Sequence, residues 1–388
     1  MLVTLPFGPF GPRLRDALIA READCVDRMI FNAGDVFTWR GKGAVKFKYD
    51  LARWRHDFPK IASGYTDVII FGESGPYNRV VSDLAEKIAA RVWVLENGYF
   101  RPDWITIERN GVNASSQLPR EASGYGEPVP EIPVSYTVGR ILPYHVLNIS
   151  LYHLVQGLGS GFYPKFRTPY TIPVWLQFIG HIQRYLRLAY RNGSDLSVER
   201  LRQKGPFFVV CLQREGDNQL VRYSNFADNT AFLAEVLDSF SKHAPKGARL
   251  VVKNHPLDPG LIDFDNVIKE LSAAKSLNGR VEFWDGGNLA EMCRASQGMV
   301  VNNSSAALSA LGFGAPVKVL GKAFFDFEGL TDQKPLEMFW KKPTAADPAL
   351  FKRFRAHVIA KAQINGNFHE PRAIKRTANA LAAFMCRL

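Results

Sequence analysis

Within six residues, Lys253-Asn254-His255-Pro256-Leu257-Asp258 sets a cation, an imidazole and a carboxylate side by side. An imidazole can donate to a phosphate or to a leaving oxygen. An ammonium is a point charge for the same anion. A second polar cluster is Gln213-Arg214-Glu215-Gly216-Asp217-Asn218-Gln219, and a third is Asn302-Asn303-Ser304-Ser305. Serines ahead of a helix cap it, and the backbone N–H groups there bind phosphate. The three clusters together suit a nucleotide phosphate held without a metal. Each is weaker alone: either serine reads first as a plain cap, and a lone His-Pro says little. Asp217 could attack a sugar carbon or take a proton. Its Gly-Asp-Asn setting equally suits an Asx-turn.

Each cluster ends an apolar run: Phe207 to Leu212, Leu250 to Val252 and Gly298 to Val301. Pro256 keeps His255 extended and forbids helix there, so Lys253 and His255 are expected at a strand end. Strands are expected to begin near 207, 249, 281, 299 and 317. Helices are expected near 229–242, 265–274, 289–296, 305–313 and 350–364. Short apolar strands alternating with helices mean a parallel sheet, whose ligands bind beyond the carboxyl ends of the strands. The three clusters should then share one crevice. Asp263-Phe264-Asp265 could hold a metal and a diphosphate, but it directly precedes a helical pattern, so capping is the expectation. No His/Cys/Glu set has zinc spacing, and no metal or other cofactor is expected.

The first half repeats the plan less cleanly. Leu2 to Leu5 reads as a strand, with a Pro/Gly loop at 6–12 and a helix at 13–21. Asp67 to Phe71 is a strand ending in Gly72-Glu73, a helix follows from about 78 to 90, and Val92 to Leu95 ends in Glu96. Glu73 and Glu96 could each hold a sugar hydroxyl or act as a base. A helix N-terminal carboxylate or a loop hydrogen bond is as good a reading of either. Ile105 to Ile107 suggests a strand, and 119–133 is a Pro/Gly/Glu-rich loop. Helical patterns follow at about 137–156 and 172–191. The second sets Arg184, Arg187 and Arg191 beside Trp175, Phe178 and Tyr185. That composition suits a membrane headgroup zone; an interdomain helix with snorkelling arginines fits it slightly better. Asn192-Gly193-Ser194 should end it.

The 388 residues, 46% hydrophobic, suffice for one large domain or two medium ones. A net charge of +12 suits an anionic substrate, an anionic membrane surface or nucleic acid without choosing among them. Cys25, Cys211, Cys293 and Cys386 lack metal or disulfide spacing, which points to a reducing compartment. No run approaches the ~18 apolar residues of a membrane span. A cytosolic protein, associated with the membrane at most from one side, is expected.

Longer motifs carry a resemblance. Phe71-Gly72-Glu73-Ser74-Gly75-Pro76 resembles the Phe-Gly-Asp-Cys-Arg-Pro segment of the bacterial capsule polysaccharide biosynthesis and export family. Glu96-Asn97-Gly98-Tyr99-Phe100-Arg101-Pro102 with Gly111-Val112-Asn113 is similar to its Glu-Glu-Gly-Tyr-Leu-Arg-Pro…Gly-Gly-Val-Asn. Gln213 to Gln219 matches Gln-x-x-x-Asp-x-Gln, and the 253–258, 303–321 and 326–331 segments match in order. The likeness runs from about residue 5 to 368, and the length suits the single-module S type of the family. Two departures stand out: Glu73-Ser74-Gly75 for Asp-Cys-Arg, and Asn97 for the second Glu. If the missing arginine holds a carboxylate, another cation must replace it.

The resemblance implies an α/β, GT-B-like fold, with two Rossmann-like domains facing a crevice and C-terminal helices. The expected division is an acceptor-side domain over 1–204 with a helical insertion, a CMP-binding domain over 205–345, and helices over 346–388 packing back on the first domain. It implies a retaining β-Kdo transferase that uses CMP-β-Kdo to start a linker on lyso-phosphatidylglycerol, at the cytoplasmic face of the inner membrane. Residue by residue, Asp217 falls on the catalytic aspartate, with Glu73 and Glu96 as candidate acceptor-activating acids. His255 and Pro256 fall on the nucleotide-binding His-Pro. Asn303, Ser304 and Ser305 fall on an Asn-Ser-Thr segment, and Gln213, Lys253 and Arg101 complete the expected substrate contacts. The expected partners are the donor, the lipid acceptor, an anionic membrane surface and the capsule export machinery, with no nucleic acid. Two alternatives remain: a non-catalytic assembly or export factor that binds the acidic glycolipid, and a CDP-glycerol-type glycerophosphotransferase.

Overall fold

The computed structural model describes residues 1–39, 41–190, 196–216 and 218–387. Asp217, Arg191 and the helix end expected at 192–194 lie outside the described residues. The chain divides into two compact units. One comprises 1–117, 130–169 and 356–388; the other comprises 118–129 and 170–355.

In chain order the first unit opens with α1 (Phe10–Ile19), β1 (Arg28–Ile30), α2 (Ala33–Thr38), β2 (Ala44–Lys46), α3 (Leu51–Ala62) and β3 (Asp67–Phe71). It continues with α4 (Pro76–Asp83), β4 (Arg91–Asn97), β5 (Trp104–Arg109) and α5 (Leu142–Leu158). The second unit holds α6 (Val174–Tyr190), α7 (Val198–Gln203), β6 (Phe207–Cys211), α8 (Asn218–Tyr223), α9 (Asn229–His243) and β7 (Arg249–Lys253). Then come α10 (Phe264–Ala274), β8 (Val281–Trp284), α11 (Leu289–Ala295), β9 (Gly298–Val301), α12 (Ala306–Gly312), β10 (Val317–Val319) and α13 (Leu336–Phe339). The chain then runs through α14 (Pro348–Ala362), which returns it to the first unit for β11 (Gln363–Asn365) and α15 (Pro371–Arg387).

The first unit's four-stranded sheet has the order β11-β5-β4-β3. Strands β3 and β4 are parallel; β5 and β11 run antiparallel to their neighbours. Side-chain alternation sends Val92 and Val94 into one core with Trp54 and Phe58 of α3, and Trp93 and Leu95 into another with residues of α1 and α15. This period of two, apolar on both faces, is what a sheet covered on both sides requires. The second unit's sheet has the order β10-β9-β6-β7-β8 and is parallel throughout. Phe208, Val210, Leu250, Val252 and Val300 pack against α9 and α13 on one face. The chain is thus α/β and GT-B-like in plan: two units, each a sheet covered by helices, with helices at its end.

The division differs from the expected one at 204/205. Helices α6 and α7 and the 118–129 segment belong with the second unit. The reason in each case is a specific anchor. Buried Tyr125 stacks on Phe327 at 5.7 Å and meets Phe354 edge-on at 5.0 Å. The α6 anchor is Arg184, described below.

Candidate functional site

The order of the second sheet decides where its polar clusters meet. Strands β9, β6 and β7 are neighbours, and all three run the same way. The loops after Cys211, Lys253 and Val301 therefore leave the same edge of the sheet. Strand β6 has β7 on one side and β9 on the other, so the chain's winding reverses there, the position at which parallel sheets take ligands.

After β7, Asn254 is buried, donates to Asp285 Oδ1 at 3.1 Å, and accepts the His255 N–H at 2.9 Å. His255 Nδ1 accepts the N–H of Leu257 at 3.1 Å. That bond places the proton of the neutral imidazole on Nε2, as a donor. Asp258 is buried and accepts the N–H groups of Glu215 (3.0 Å) and Gly260 (2.8 Å), tying the loop after β7 to the loop after β6. Lys253, expected as a point charge for the phosphate, ends β7. It is buried, and its Nζ donates to the Gly286 carbonyl at 2.7 Å; burial lowers its pKa.

After β6, Gln213 exchanges backbone hydrogen bonds with the Asn229 side chain at 2.9 and 3.3 Å. Its own Oε1 is buried and has no donor among the described residues. Glu215 accepts from Asn229 Nδ2 at 2.8 Å, and desolvation raises its pKa. Gly216 has φ +74, and a Cβ there would lie 2.5 Å from Thr171 Oγ1, so glycine is required. After β9, Asn303 donates to the Tyr223 carbonyl at 3.2 Å, and Ser304 Oγ accepts from the Ala306 N–H at 3.3 Å. Ser305 occupies the cap position of α12 but makes no side-chain cap bond. Asp263 caps α10, as its position before a helix led one to expect.

The loop after β7 is held by a residue for which the sequence offered either a headgroup zone or a snorkelling place on an interdomain helix. Arg184 of α6 is buried and forms a bidentate pair with Asp285 at 2.9 and 2.5 Å. The same guanidinium donates to the carbonyls of Pro256 (3.0 Å) and Asp258 (2.6 Å), and to that of His255 at 3.4 Å. Arg187 donates to the Gly260 carbonyl and pairs with Asp263 at 3.3 Å. Gly260 (φ +71) lets Arg184 close in, since a Cβ there would sit 2.6 Å from Arg184 Cβ. These arginines serve the protein, not a headgroup zone. A planar fork can satisfy several carbonyls and a carboxylate at once, which lysine cannot.

In the first unit, Gly72 and Glu96 meet where parallel β3 and β4 end, the Gly72 N–H bonding the Leu95 carbonyl at 2.8 Å. Glu73 is buried and accepts the Val112 N–H at 3.4 Å. Glu96 accepts the Asn97 N–H at 2.9 Å. Arg101 is exposed and donates to the Gly98 carbonyl at 3.3 Å. A third acid, unread in the sequence, stands nearby. Glu108 of β5 is buried and accepts from Tyr99 Oη at 2.5 Å and from Ser116 Oγ. Desolvation, with the charge of Glu73 adding to it, raises its pKa from 4.5 to about 7. The available signal was a carboxylate two positions after Thr106 on the same face of a strand that is buried from Trp104 to Glu108. The C-terminal segment braces this end: Gln363 accepts the Tyr99 N–H at 2.9 Å and donates to Thr106 Oγ1 at 2.9 Å.

Comparison with known proteins fits the sequence reading. The family model described as "Capsule polysaccharide biosynthesis protein" matches residues 66–369. The chain is 33% identical over 396 residues to the capsule polysaccharide modification protein LipB of Neisseria meningitidis serogroup B, covering 95% of this chain and 91% of that protein. It is 29% identical over 380 residues to the capsule polysaccharide export protein KpsS of Escherichia coli, covering 95% and 96%. Among solved structures, Thermosulfurimonas dismutans KpsC, a beta Kdo 2,7 transferase, aligns over 99% of both chains at 14% identity with a TM-score of 0.45. With most of its length matched by the family model and end-to-end similarity to these relatives, this chain belongs to the capsule polysaccharide biosynthesis protein family.

Proposed function

We propose that the protein is a retaining β-Kdo glycosyltransferase. It moves Kdo from CMP-β-Kdo to lyso-phosphatidylglycerol, or to the first Kdo on it, at the cytoplasmic face of the inner membrane. The observation that supports this most is the gathering of Gln213, the His255-Pro256 loop and Asn303–Ser305 at one end of three adjacent parallel strands, where the winding reverses. The buried Gln213 Oε1 adds an acceptor ready for a ligand donor.

In this reading the CMP phosphate rests on His255 Nε2–H and the 303–305 backbone, with Pro256 shaping the loop. Lys253 contributes through its field, its ammonium being held by Gly286. Asp217 attacks the anomeric carbon and CMP leaves with the bonding electron pair. The acceptor hydroxyl then displaces the aspartate and gives its proton to a general base. Two inversions give retention, and the carboxylate also stabilises an oxocarbenium-like transition state. Arg101, exposed and bonded to the Gly98 carbonyl, is the cation for an acidic acceptor.

Incubation with CMP-Kdo and lyso-phosphatidylglycerol tests the reading, with CDP-glycerol run beside it. Transfer with CMP release is expected, together with a Kdo adduct on Asp217 by intact mass when the acceptor is withheld. Absence of CMP release favours a glycolipid-binding export factor, and turnover of CDP-glycerol favours glycerophosphotransfer. An adduct elsewhere, or a folded Asp217→Ala protein with near-normal turnover, removes Asp217 from its role.

A further inference from the structure

Helix α6 is amphipathic in the inverted sense. Its inward face is Gln177, Gly180 and Arg184, all buried, with Gly180 so close that a Cβ would lie 2.4 Å from the Pro259 carbonyl. Its outward face is Trp175, Phe178, Ile179, Ile182, Tyr185 and Leu186, all exposed; Trp175 is 63% and Phe178 66% accessible. Their spacing of three, four, seven, ten and eleven residues makes one stripe. Arg184 and Arg187 are spent on the loop after β7 and Gln177 on Ile172 and Arg214, whereas the apolar side chains face water. Helix α5 of the other unit has the same character. It has no charged residue, buried Tyr152 bonds Asp35 and Asn32, and Leu147, Leu151, Leu154 and Leu158 form an exposed stripe. An apolar surface on this scale marks a site that something covers.

Charge identifies the cover. From Ile132 to Ser194 the chain holds no Asp or Glu, although it has 37 in all. Arg140, Lys165 and Arg167 in that run are exposed. A protein partner sets no requirement for a 63-residue stretch without a carboxylate, whereas an anionic bilayer repels every carboxylate brought to it. Tryptophan and tyrosine on the apolar stripe are the residues that settle at a bilayer interface. Among the described residues no helix is long and apolar enough to cross a membrane, so such a helix lies in the interface.

We propose that the outward face of α6 docks flat on an anionic lipid bilayer, and that α5 carries a second face of the same kind. The choice of a lipid surface rests in part on the lipid-acceptor reading above. Docking would then bring the surface that carries the acceptor to the helix whose other side holds the His255-Pro256 loop.

The test has a built-in reporter. Of the seven tryptophans, Trp175 alone is exposed and the other six are buried. Adding phosphatidylglycerol vesicles to the full-length protein should shift tryptophan emission to the blue, and brominated lipids should quench it. Trp175→Phe should lose that signal while still sedimenting with vesicles. The triple variant Phe178→Ser/Ile182→Ser/Tyr185→Ser should lower vesicle partitioning by at least about tenfold, with its circular dichroism and thermal midpoint little changed because these exposed side chains lie outside the buried core. Leu147→Ser/Leu151→Ser/Leu154→Ser tests α5 separately. Unchanged partitioning of the α6 triple variant overturns the proposal. So does emission that stays put while the protein sediments, or a lipid-independent dimer that the variant converts to monomer. A protein that turns over a soluble acceptor yet ignores vesicles overturns this inference alone; one that binds vesicles but never releases CMP overturns only the proposed function.

Discussion

Replacing Glu108 by glutamine should make the protein more stable at and above neutral pH, and not in acid. In the fold the Glu108 carboxyl is buried, and its pKa rises from 4.5 to about 7, mainly through desolvation. A raised carboxyl pKa means that the folded state binds its proton more tightly than the unfolded chain does. The stability this confers is complete below about pH 4.5 and is lost as pH climbs to about 7. At ~1.4 kcal/mol per unit, forcing the buried group to ionise costs about 3 kcal/mol at pH 8. Glutamine removes that cost and keeps an oxygen for the Tyr99 hydroxyl. Ser116 can rotate to accept from the new amide, at a loss of about 1 kcal/mol in bond strength. The net gain expected at pH 8 is about 2 kcal/mol, turning into a loss of about 1 kcal/mol at pH 4.5, where only the weaker bond counts. His369, whose pKa burial lowers to about 3, pulls oppositely. Its contribution is present above the unfolded value of 6.5 and is lost as pH falls below it, but it cancels between wild type and variant. Urea unfolding of both proteins from pH 4.5 to 8.5 would measure the difference. Parallel pH profiles would mean that Glu108 ionises normally and that the burial argument is wrong.

Other expectations follow from the same geometry. Arg184→Met removes the guanidinium from three carbonyls and leaves Asp285 with Asn254 but no paired cation; it should cost about 3–5 kcal/mol by urea unfolding, and Arg184→Lys should not restore it. Gly260→Val, at φ +71 and against Arg184, should weaken CMP binding in calorimetry while leaving the first unit's thermal transition in place. His255→Ala should weaken CMP binding roughly 10- to 100-fold, the worth of one charge-assisted bond; unchanged affinity in a folded variant removes the imidazole from the phosphate. His369→Gln should flatten the acid side of the stability profile between pH 6.5 and about 3, because the neutral amide has no proton to gain.

The second unit was legible because its central strands are mostly apolar and end in turn-forming polar clusters. Strands expected near 207, 249 and 281 begin at those residues, and the helix expected at 229–242 spans Asn229–His243. The region from 28 to 65 gave no reading. Its three-residue strands are too short to show a period, and α3 mixes charges with the aromatic residues that anchor it. Arg184 was misplaced for a physical reason. Arginine beside tryptophan looks the same whether it faces lipid or turns inward to carbonyls, and only the position of the Asp285 loop decides. Glu108 was hidden because its environment is made by Tyr99, Ser116 and Glu73, which lie up to 35 positions away. The clusters at 253–258 and 302–305 were found, but not that Lys253 would be enclosed by Gly286.

Strand β11 and helix α15 have a consequence for the order of synthesis. The first unit begins the chain, yet its sheet takes its edge strand from 363–365 and its α1 face from 371–387. A ribosome adding ~5–20 residues per second needs roughly 15–55 s after Gln117 to deliver them. During that time Trp93, Leu95, Ile105 and Ile107 lack part of their cover, and Tyr99 lacks its bond to Gln363. The half of the molecule that emerges first is therefore the half that is finished last. A nascent chain stalled before residue 355 would expose that apolar face to chaperones and proteases.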